Sequence, residues 1–404
     1  MRIALVNTEA QRGGAAKMAG HLTRALTAQG IDACLYHAGD AVTEQGIRGL
    51  KRFGSRHTNA LLARLGGSMT VWDMGLANEL LRLTADADVL HVHNLHGYYL
   101  NYRELLMGWK DRPVVWTWHD QWGAVGRCGL PNPDCDRWLS GCGQCPLTNV
   151  YPAAWLDWSA EEYRFKSALY GELNNLTIVS PSRWLADRAV KRGFPADRVH
   201  VIPNPVPLAK LAPIPKAVAR SALGIAPDGP LLLFIAADCD DPRKGYPDFE
   251  QLVLALKVPA LVVGKPPSKR SSSGLMHYTG VIKDFEKLNA CYAAANLMVM
   301  TSLADNYPNV IIEAMACGTA VLAYDVGGIP DQMPGFWSGL VTMSDLQALV
   351  MRCEELINDL SGLEALSPAL RQHAVEQWDP AIVARRYIEI YEQATESPSR
   401  QASN

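Results

Sequence analysis

Short runs of apolar, β-branched residues alternate with amphipathic helical patterns over the first 200 residues of the chain. The first run, 2–7, is followed by a glycine-rich turn and by a helical pattern over 15–29. Further strands are predicted over 33–38, 89–93, 114–118 and 177–180. Repeated alternation of strand and helix is typical of a doubly wound α/β domain built on a parallel sheet.

The same alternation restarts after residue 230. Strands are predicted over 231–237, 260–263, 276–279, 297–301 and 320–324, and helices over 246–256, 284–294 and 309–317. The second half of the chain is therefore expected to form a second α/β domain of the same kind.

Six prolines lie between Pro205 and Pro230, and they separate the two halves of the pattern. Because proline lacks the N–H that a helix or a central strand needs, this stretch is predicted to be a linker or an irregular hinge. We expect two Rossmann-like domains, 1–206 and 207–378. Residues 379–404 are expected to form a last helix, which packs back on the first domain, and a polar tail.

Composition and charge narrow the class of protein. The chain has 404 residues, of which 48% are hydrophobic, and 38 basic residues against 41 acidic ones give a formal net charge of -3. Such a balance provides no general field for a nucleic acid, so nucleic-acid binding is disfavoured. No apolar run reaches the length of a membrane-spanning helix, and the N-terminal apolar run is too short for a signal peptide. A cytoplasmic protein is predicted.

Four of the nine cysteines crowd into one short stretch, GRCGLPNPDCDRWLSGCGQCP. They are Cys128, Cys135, Cys142 and Cys145. The last two form a Cys-x-x-Cys pair, whose spacing lets two thiolates reach one metal ion. The stretch predicts a structural zinc site without an open position for catalysis. An iron–sulfur cluster and four unlinked thiols are the alternatives.

In an open parallel sheet, ligands bind at the carboxyl ends of the strands. After the first predicted strand, Gly13 and Gly14 open a helix whose backbone amides suit a phosphate, although a plain tight turn explains them equally well. The Gly-x-Gly-x-x-Gly spacing is missing, which disfavours a nicotinamide enzyme. Two later strands end in His93 and in His119–Asp120, and these predict a polar rim on the first domain.

The second domain offers more chemistry. Arg243 and Lys244 follow the strand 231–237 and are expected to open a helix, where paired cations suit a diphosphate. A solvated basic turn is the alternative. The strand 297–301 is followed by a loop with Asp305 and by a helix with Glu313, and two carboxylates so placed could address one polyhydroxylated ligand.

Residues 302–331, SLADNYPNVIIEAMACGTAVLAYDVGGIPD, resemble the C-terminal signature of family 4 of the retaining glycosyltransferases. The resemblance extends over nearly the whole chain through the motifs HVHNLH, TWHD, SPSRW, IPN and PRKG. The cysteine-rich insertion is most similar to that of the colanic-acid-type glycosyltransferases of exopolysaccharide assembly. The resemblance implies the GT-B fold, in which two Rossmann-like domains face each other across a cleft.

The resemblance further implies a nucleotide-sugar donor, a UDP- or GDP-sugar, bound mainly by the second domain. Glu313 would hold the ribose hydroxyls, and Arg243 and Lys244 the diphosphate. The donor sugar would contact the loop formed by Asp305, Asn306, Tyr307, Pro308 and Asn309. On the first domain, Gly14 would approach the phosphates and His119 the transferred sugar, while His93 and Asp120 would lie on the acceptor side.

No catalytic metal is expected, because cationic side chains can stabilise the departing diphosphate. The resemblance implies transfer with retention, in which the leaving phosphate accepts the proton of the acceptor, so no general base is assigned. The chain departs from the family in two places. Asp305 stands where the family usually has Glu, and Arg243 and Lys244 are adjacent where the family often separates the two cations.

The implied acceptor is a glycan or a polyprenyl-diphosphate-linked sugar. Residues 45–72 contain no acidic residue, and five basic residues alternate there with apolar ones: Arg48, Lys51, Arg52, Arg56 and Arg64. Such a segment favours a peripheral contact with anionic lipid, and an ordinary solvated loop and helix is the alternative. Three other functions remain open: a non-catalytic sugar-binding protein, a sugar-nucleotide epimerase and a phosphorylase.

Overall fold

A computed structural model of the chain describes residues 1–11, 13–39, 44–50, 56–66, 75–129, 135–226 and 228–396. The chain divides into two compact units. One contains Met1–Pro205 together with the segment that begins at Pro380, and the other contains Val206–Asp379.

The described part of the first unit has a seven-stranded sheet in which all neighbouring strands are parallel. Its strands are β1 (Arg2–Asn7), β2 (Asp32–His37), β3 (Ile47–Gly49), β4 (Val89–Val92), β5 (Val114–Thr117), β6 (Leu176–Ser180) and β7 (Val199–Val201). The spatial order is β3-β2-β1-β4-β5-β6-β7, so the direction of winding reverses between β1 and β4. A crevice at the carboxyl ends of these two strands is where a doubly wound sheet binds its ligand.

The helices of the first unit are α1 (Gly14–Ala28), α2 (Arg56–Gly66), α3 (Leu76–Leu83), α4 (Tyr102–Gly108), α5 (Ser159–Glu172), α6 (Arg183–Lys191) and α13 (Pro380–Glu396). The terminal helix α13 packs against α1 and also contacts β4 and β5. Its buried face is formed by Val383, Tyr387 and Tyr391, at the spacing of an amphipathic helix.

The second unit has a six-stranded parallel sheet within the described residues, in the order β10-β9-β8-β11-β12-β13. Its strands are β8 (Leu232–Asp238), β9 (Ala260–Lys265), β10 (Met276–Gly280), β11 (Leu297–Met300), β12 (Ala320–Asp325) and β13 (Leu340–Thr342). Its helices are α7 (Lys216–Leu223), α8 (Tyr246–Leu256), α9 (Phe285–Ala294), α10 (Asn309–Ala316), α11 (Leu346–Asn358) and α12 (Leu360–Trp378). Here the winding reverses between β8 and β11.

The prediction of a parallel, doubly wound sheet in each half is confirmed. The prediction that the whole stretch 205–230 is a linker or hinge is wrong, because α7 begins directly after Pro215. It ends at Leu223, before Gly224, whose backbone is left-handed (φ 67°). Proline just before a helix removes no intrahelical hydrogen bond, so a proline-rich stretch can still precede one. The three-residue strands β3, β7 and β13 were not predicted, since so short a run has no measurable period.

Candidate active site

The loops that follow β8 and β11 are joined by hydrogen bonds at the point where the second sheet reverses its winding. The backbone N–H of Leu303 donates to the carbonyl of Arg243 (2.7 Å), and the Thr301 hydroxyl donates to the carbonyl of Gly245 (2.8 Å). Gly245 has a left-handed backbone (φ 63°), and a Cβ there would lie 1.9 Å from the Thr301 carbonyl oxygen. Only glycine therefore allows the two loops to approach this closely.

The two cations of the first loop point to different carboxylates. Lys244 Nζ lies 2.6 Å from Asp305 Oδ2 in the second loop, and Arg243 pairs with Asp241 at 2.5 Å. Both cations lie in a short 3₁₀ turn, Pro242–Lys244, and α8 begins only at Tyr246. The two cations therefore lie just before the predicted helix, with Gly245 as its N-cap residue. The ion pair fixes the Lys244 ammonium at the reversal point of the sheet.

Glu313 lies on α10 and is largely buried, with 8% of its surface exposed. Its Oε2 accepts a hydrogen bond from the hydroxyl of Tyr292 (2.7 Å). Burial, followed by the charge of Glu313, raises the pKa of Tyr292 well above its ordinary value, so this phenol remains a donor. A buried carboxylate held by a neutral donor keeps a fixed orientation, as the binding of vicinal hydroxyls requires.

The loop between Asp305 and α10 is held from several sides. The Asn306 backbone N–H donates to Asp305 Oδ1 (3.1 Å), and the Trp378 indole donates to the Tyr307 hydroxyl (2.9 Å). The carbonyl of Pro308 accepts from the side chain of Gln332 (3.0 Å), and Asn309 is the first residue of α10. The predicted sugar-binding loop is thus a rigid turn at the N-terminus of a helix.

In the first unit, the ends of β4 and β5 bring His93 and His119 together. Their ring nitrogens Nδ1 and Nε2 are 3.0 Å apart, and the rings are stacked. Beside them, His96 Nε2 lies 2.7 Å from Asp120 Oδ2, and the other oxygen of Asp120 accepts from the Trp122 backbone N–H (2.9 Å). These side chains line one small cavity.

Burial decides the charge of this group. It lowers the pKa of His119 to about 4 and that of His93 well below its ordinary value, so both rings are neutral at pH 7. Burial alone would raise the pKa of Asp120, but the charge and hydrogen bond of His96 lower it below its usual value. The cluster therefore offers the two neutral imidazoles of His93 and His119 beside the Asp120 carboxylate.

Sequence reasoning missed the support beneath this cluster. His91 lies on β4, on the same side of the strand as His93. Its two ring nitrogens contact the hydroxyls of Tyr391 (2.7 Å) and Thr117 (2.8 Å). The Tyr387 hydroxyl also contacts Thr117 (3.0 Å). Tyr391 is 300 residues away along the chain, so only the amphipathic spacing of the last helix gave any signal.

Gly13 and Gly14 lie exposed at the carboxyl end of β1. Gly13 has a left-handed backbone (φ 87°), and no atom lies within 4 Å of the position of its Cβ. It precedes the N-terminus of α1, a helix of 15 residues. The turn is therefore open enough for a phosphate to approach the free amides of the helix.

The four clustered cysteines carry free thiols and line one cavity of the first unit. Among the residues that the structure describes, no three His, Cys, Asp or Glu side chains are close enough to form a metal site. The predicted zinc remains a prediction.

Of the basic segment 45–72, Arg48 lies on β3 and Arg64 on α2. Lys51 and Arg52, and the side chain of Arg56, lie outside the described residues.

No described helix is both long and apolar enough to cross a bilayer.

Comparison with known proteins identifies both halves of the chain. Residues 12–210 match the family described as Glycosyltransferase Family 4, and residues 229–359 match Glycosyl transferases group 1. The chain is 29% identical to WcaC of Escherichia coli (strain K12), which carries the name of a colanic acid biosynthesis glycosyl transferase. That match covers 80% of this chain and 83% of WcaC. A D-inositol 3-phosphate glycosyltransferase of Thermobispora bispora is 30% identical over 51% of this chain and 53% of its own length.

Solved structures match nearly the whole length of the chain. Anabaena HepE in complex with UDP superposes with a TM-score of 0.68 at 17% identity, covering 97% of this chain and 100% of HepE. WaaG, a glycosyltransferase involved in lipopolysaccharide biosynthesis, superposes with a TM-score of 0.66 at 15% identity, covering 96% and 99%. At such identities the likeness concerns the fold. The chain has the GT-B fold and belongs to the glycosyltransferases that join a Family 4 domain to a group 1 domain.

Proposed function

We propose that this glycosyltransferase moves a sugar from a UDP- or GDP-sugar to a glycan or lipid-linked sugar acceptor, with retention of the anomeric configuration, in the synthesis of a cell-surface polysaccharide. The observation that carries the proposal is the ion pair between Lys244 and Asp305 at the reversal point of the second sheet. An ammonium there suits a diphosphate, and the loop that follows Asp305 suits the sugar attached to it.

The other groups of the site complete this assignment. Glu313, oriented by Tyr292, is assigned to the ribose hydroxyls, and Arg243 to the diphosphate together with Lys244. The structures of HepE include complexes with UDP and with UDP-glucose, which supports a nucleotide-sugar donor here. We also assign Gly14 to the phosphates, and His119, with His93 and Asp120, to the sugar and acceptor side.

The proposed chemistry needs no general base on the protein. Because His93 and His119 are neutral and buried, they can orient hydroxyl groups by hydrogen bonds. The leaving diphosphate, stabilised by Arg243 and Lys244, accepts the proton of the attacking hydroxyl on the same face of the sugar. Retention follows from attack on the face that the leaving group departs from.

A ligand panel tests the donor class. Thermal unfolding is followed with UDP, GDP, ADP and their common sugar conjugates. A ligand at about 100 times its Kd adds about 2.7 kcal/mol of stability, which raises Tm by a few degrees. The responding sugar nucleotide is then incubated with glycan acceptors, and the anomeric configuration of the product is determined by NMR. Binding without turnover would favour the non-catalytic alternative, and an inverted product would refute retention.

A membrane-proximal acceptor is supported by a patch of exposed apolar side chains on the first unit. Leu61 and Leu65 lie one turn apart on α2 and are 47% and 49% exposed, and Trp155 is 61% exposed. The Trp155 backbone N–H donates to the carbonyl of Arg64 (2.9 Å), so this segment packs on α2. We propose that this patch and its basic neighbours rest on an anionic membrane that carries the acceptor.

Vesicle sedimentation tests the membrane contact. The wild-type chain should sediment with vesicles that contain anionic lipid at about 0.1 M salt and less so with neutral vesicles. The double variant Leu65→Ser/Trp155→Ser should lose this binding. The matched control Val218→Ser/Met351→Ser, which removes two equally exposed apolar side chains from the second unit, should retain it. Equal sedimentation of the wild type and both variants would refute the proposal that this patch contacts the membrane.

A further inference from the structure

The four cysteines between Cys128 and Cys145 converge on one side of the first unit. All four side chains line a single cavity of about 20 Å³. The thiol of Cys128 donates a hydrogen bond to the sulfur of Cys145, although the two residues are well separated along the chain. Each of the four is half-buried and none is in a disulfide. Convergence of this kind is expected of thiols that share a ligand, since isolated buried cysteines have no reason to meet.

The backbone around the last two cysteines is arranged to donate to sulfur. The Gly126 N–H donates to Cys142 Sγ (3.3 Å), and the Leu147 N–H donates to the sulfur of Cys145. Amide donors of this kind stabilise a thiolate, and they are the usual outer partners of metal-bound cysteine.

The turn between these two cysteines is held in an unusual conformation. Gly141, Cys142, Gly143 and Gln144 all have positive φ, at 105°, 63°, 97° and 48°. Two of the four are not glycine, so the turn is strained unless something else holds it. The Gly143 N–H donates to the Ser159 hydroxyl (3.0 Å), which fixes one side of the turn on α5. A ligand shared by the flanking thiols would hold the other side.

Cationic side chains surround the cavity. Arg127 and Arg137 line it, and the guanidinium of Arg188 lies over the ring of Trp138, another lining residue, at 4.8 Å. Arg127 is 3% exposed, and its Nε has no hydrogen-bond partner among the residues that the structure describes. Four thiolates around a divalent ion carry a net charge of −2, and the guanidinium groups beside the cavity would offset that charge.

We propose that Cys128, Cys135, Cys142 and Cys145 bind one Zn²⁺ ion in a closed, four-thiolate structural site. Binding would draw the four sulfurs closer together, because no three His, Cys, Asp or Glu side chains among the described residues already form a group that could hold a metal ion. Each thiol releases its proton to solvent on binding, so the affinity falls as the pH is lowered. With four protein ligands the ion has no open position, and it takes no part in the transfer reaction.

The site would stabilise the acceptor side of the first unit. Gly126, whose N–H donates to Cys142, also accepts a hydrogen bond from the buried Lys166 ammonium (3.0 Å). The same ammonium donates to the carbonyl of Trp122 (2.6 Å), whose backbone N–H holds Asp120. Through Lys166, the metal would therefore stabilise the turn at Trp122, which holds the predicted acceptor-side residue Asp120.

Elemental analysis of the full chain, purified without chelator and without an affinity metal, tests the proposal. We expect one zinc per chain. Cys142→Ser and Cys145→Ser should each lose most of the zinc, whereas Cys34→Ser, which alters a half-buried thiol of the same unit outside the cluster, should keep it. Refilling the chelated wild-type protein with Co²⁺ should give the intense absorption of tetrahedral cobalt thiolate, and this result does not depend on any variant folding.

Three outcomes would overturn the proposal. The first is wild-type protein that contains neither zinc nor iron and whose four cluster thiols are alkylated as fast as exposed cysteine. The second is stoichiometric iron with acid-labile sulfide, which would assign an iron–sulfur cluster to the same thiols. The third is equal zinc content in Cys142→Ser and in Cys34→Ser, which would place the ion elsewhere. None of these results bears on donor binding, so the proposed function is tested separately.

Discussion

Lys244 and Asp305 are 61 residues apart in the sequence, yet Lys244 Nζ lies 2.6 Å from Asp305 Oδ2. They meet because β8 and β11 are neighbours at the point where the second sheet reverses, so the loops that leave their carboxyl ends converge. The family that this chain resembles usually has Glu at the position of Asp305. Here the shorter carboxylate of Asp305 reaches the Lys244 ammonium. The ion pair therefore fixes the position of this positive charge before any donor binds.

Replacing Lys244 with Met should weaken donor binding and slow transfer. A charged hydrogen bond to a phosphate contributes about 1.5–3 kcal/mol, so we expect donor affinity to fall roughly 10- to 100-fold. Calorimetric titration with the responding sugar nucleotide measures the change. Lys265→Met is the matched control, because Lys265 also forms an ion pair, with Asp238 at 2.7 Å, but is exposed. Equal affinity in the two variants would contradict the role of Lys244.

Glu313→Gln should weaken donor binding because the amide carries no charge to attract the ribose hydroxyls. Tyr292→Phe should have a smaller effect, about three- to tenfold, because it leaves the carboxylate in place without its donor. Tyr324→Phe removes a similar hydrogen bond, to Asp248 at 2.8 Å, and should leave donor affinity unchanged. Binding of the nucleoside diphosphate alone is sufficient as a readout. A Tyr324→Phe loss as large as that of Tyr292→Phe would show a general effect on stability.

Gly245→Ala should separate the two loops that carry Lys244 and Asp305. The added Cβ would lie 1.9 Å from the Thr301 carbonyl oxygen, and an alanine at φ 63° is strained as well. Gly224→Ala isolates the second effect, since Gly224 has a similar φ of 67° and no atom within 4 Å of its Cβ position. We expect about 1 kcal/mol of destabilisation for Gly224→Ala and at least about twice that for Gly245→Ala, measured by urea unfolding. Only Gly245→Ala should also weaken donor binding.

The stability of the first unit should fall when the pH is lowered below about 6.5. Burial lowers the pKa of His91 to about 3 in the folded chain, whereas an unfolded histidine titrates near 6.5. Between these values the unfolded chain binds one more proton, so the free energy of unfolding decreases by about 1.4 kcal/mol per pH unit on acidification. His119, with a folded pKa of about 4, adds to the same slope.

Urea unfolding at several pH values between 4 and 7 measures this slope. His91→Gln should make it shallower, whatever its effect on absolute stability, because glutamine does not titrate. An unchanged slope in His91→Gln would mean that this ring is not the source of the pH dependence.

Lys166→Met should strongly destabilise the first unit. The Lys166 ammonium is buried, and it donates to the carbonyls of Trp122, Val125 and Gly126 at 2.6, 3.1 and 3.0 Å. Methionine fills the space but leaves three buried acceptors unpaired, at about 1–3 kcal/mol each, so we expect a loss of at least about 3 kcal/mol. Thermal unfolding measures it, and Lys191→Met, at the exposed end of α6, is the control. A loss below about 1 kcal/mol would contradict the bracing role of this lysine.

The sequence by itself determined the longer strands and several of the helices, the presence of two parallel sheets, and the types of side chain at the strand ends. Buried parallel strands form continuous apolar runs, and amphipathic helices repeat with a period of 3.6 residues. Both patterns are local, so they can be recognised without knowing which elements pack together. The helix 246–256 was predicted at its observed bounds for this reason. The glycines, histidines and cations of the candidate site could also be predicted, because they come directly after predicted strands, where ligands bind.

The tertiary structure alone decided which of these groups meet. It paired Lys244 with Asp305 and left Arg243 with Asp241, although the two cations are adjacent in sequence. It also placed the Tyr391 hydroxyl on His91 and put a helix directly after Pro215. Strand order and the return of α13 bring distant residues within hydrogen-bond distance, and burial then sets their charge. Neither is a local property of the chain, so no pattern along it could have shown which residues pair.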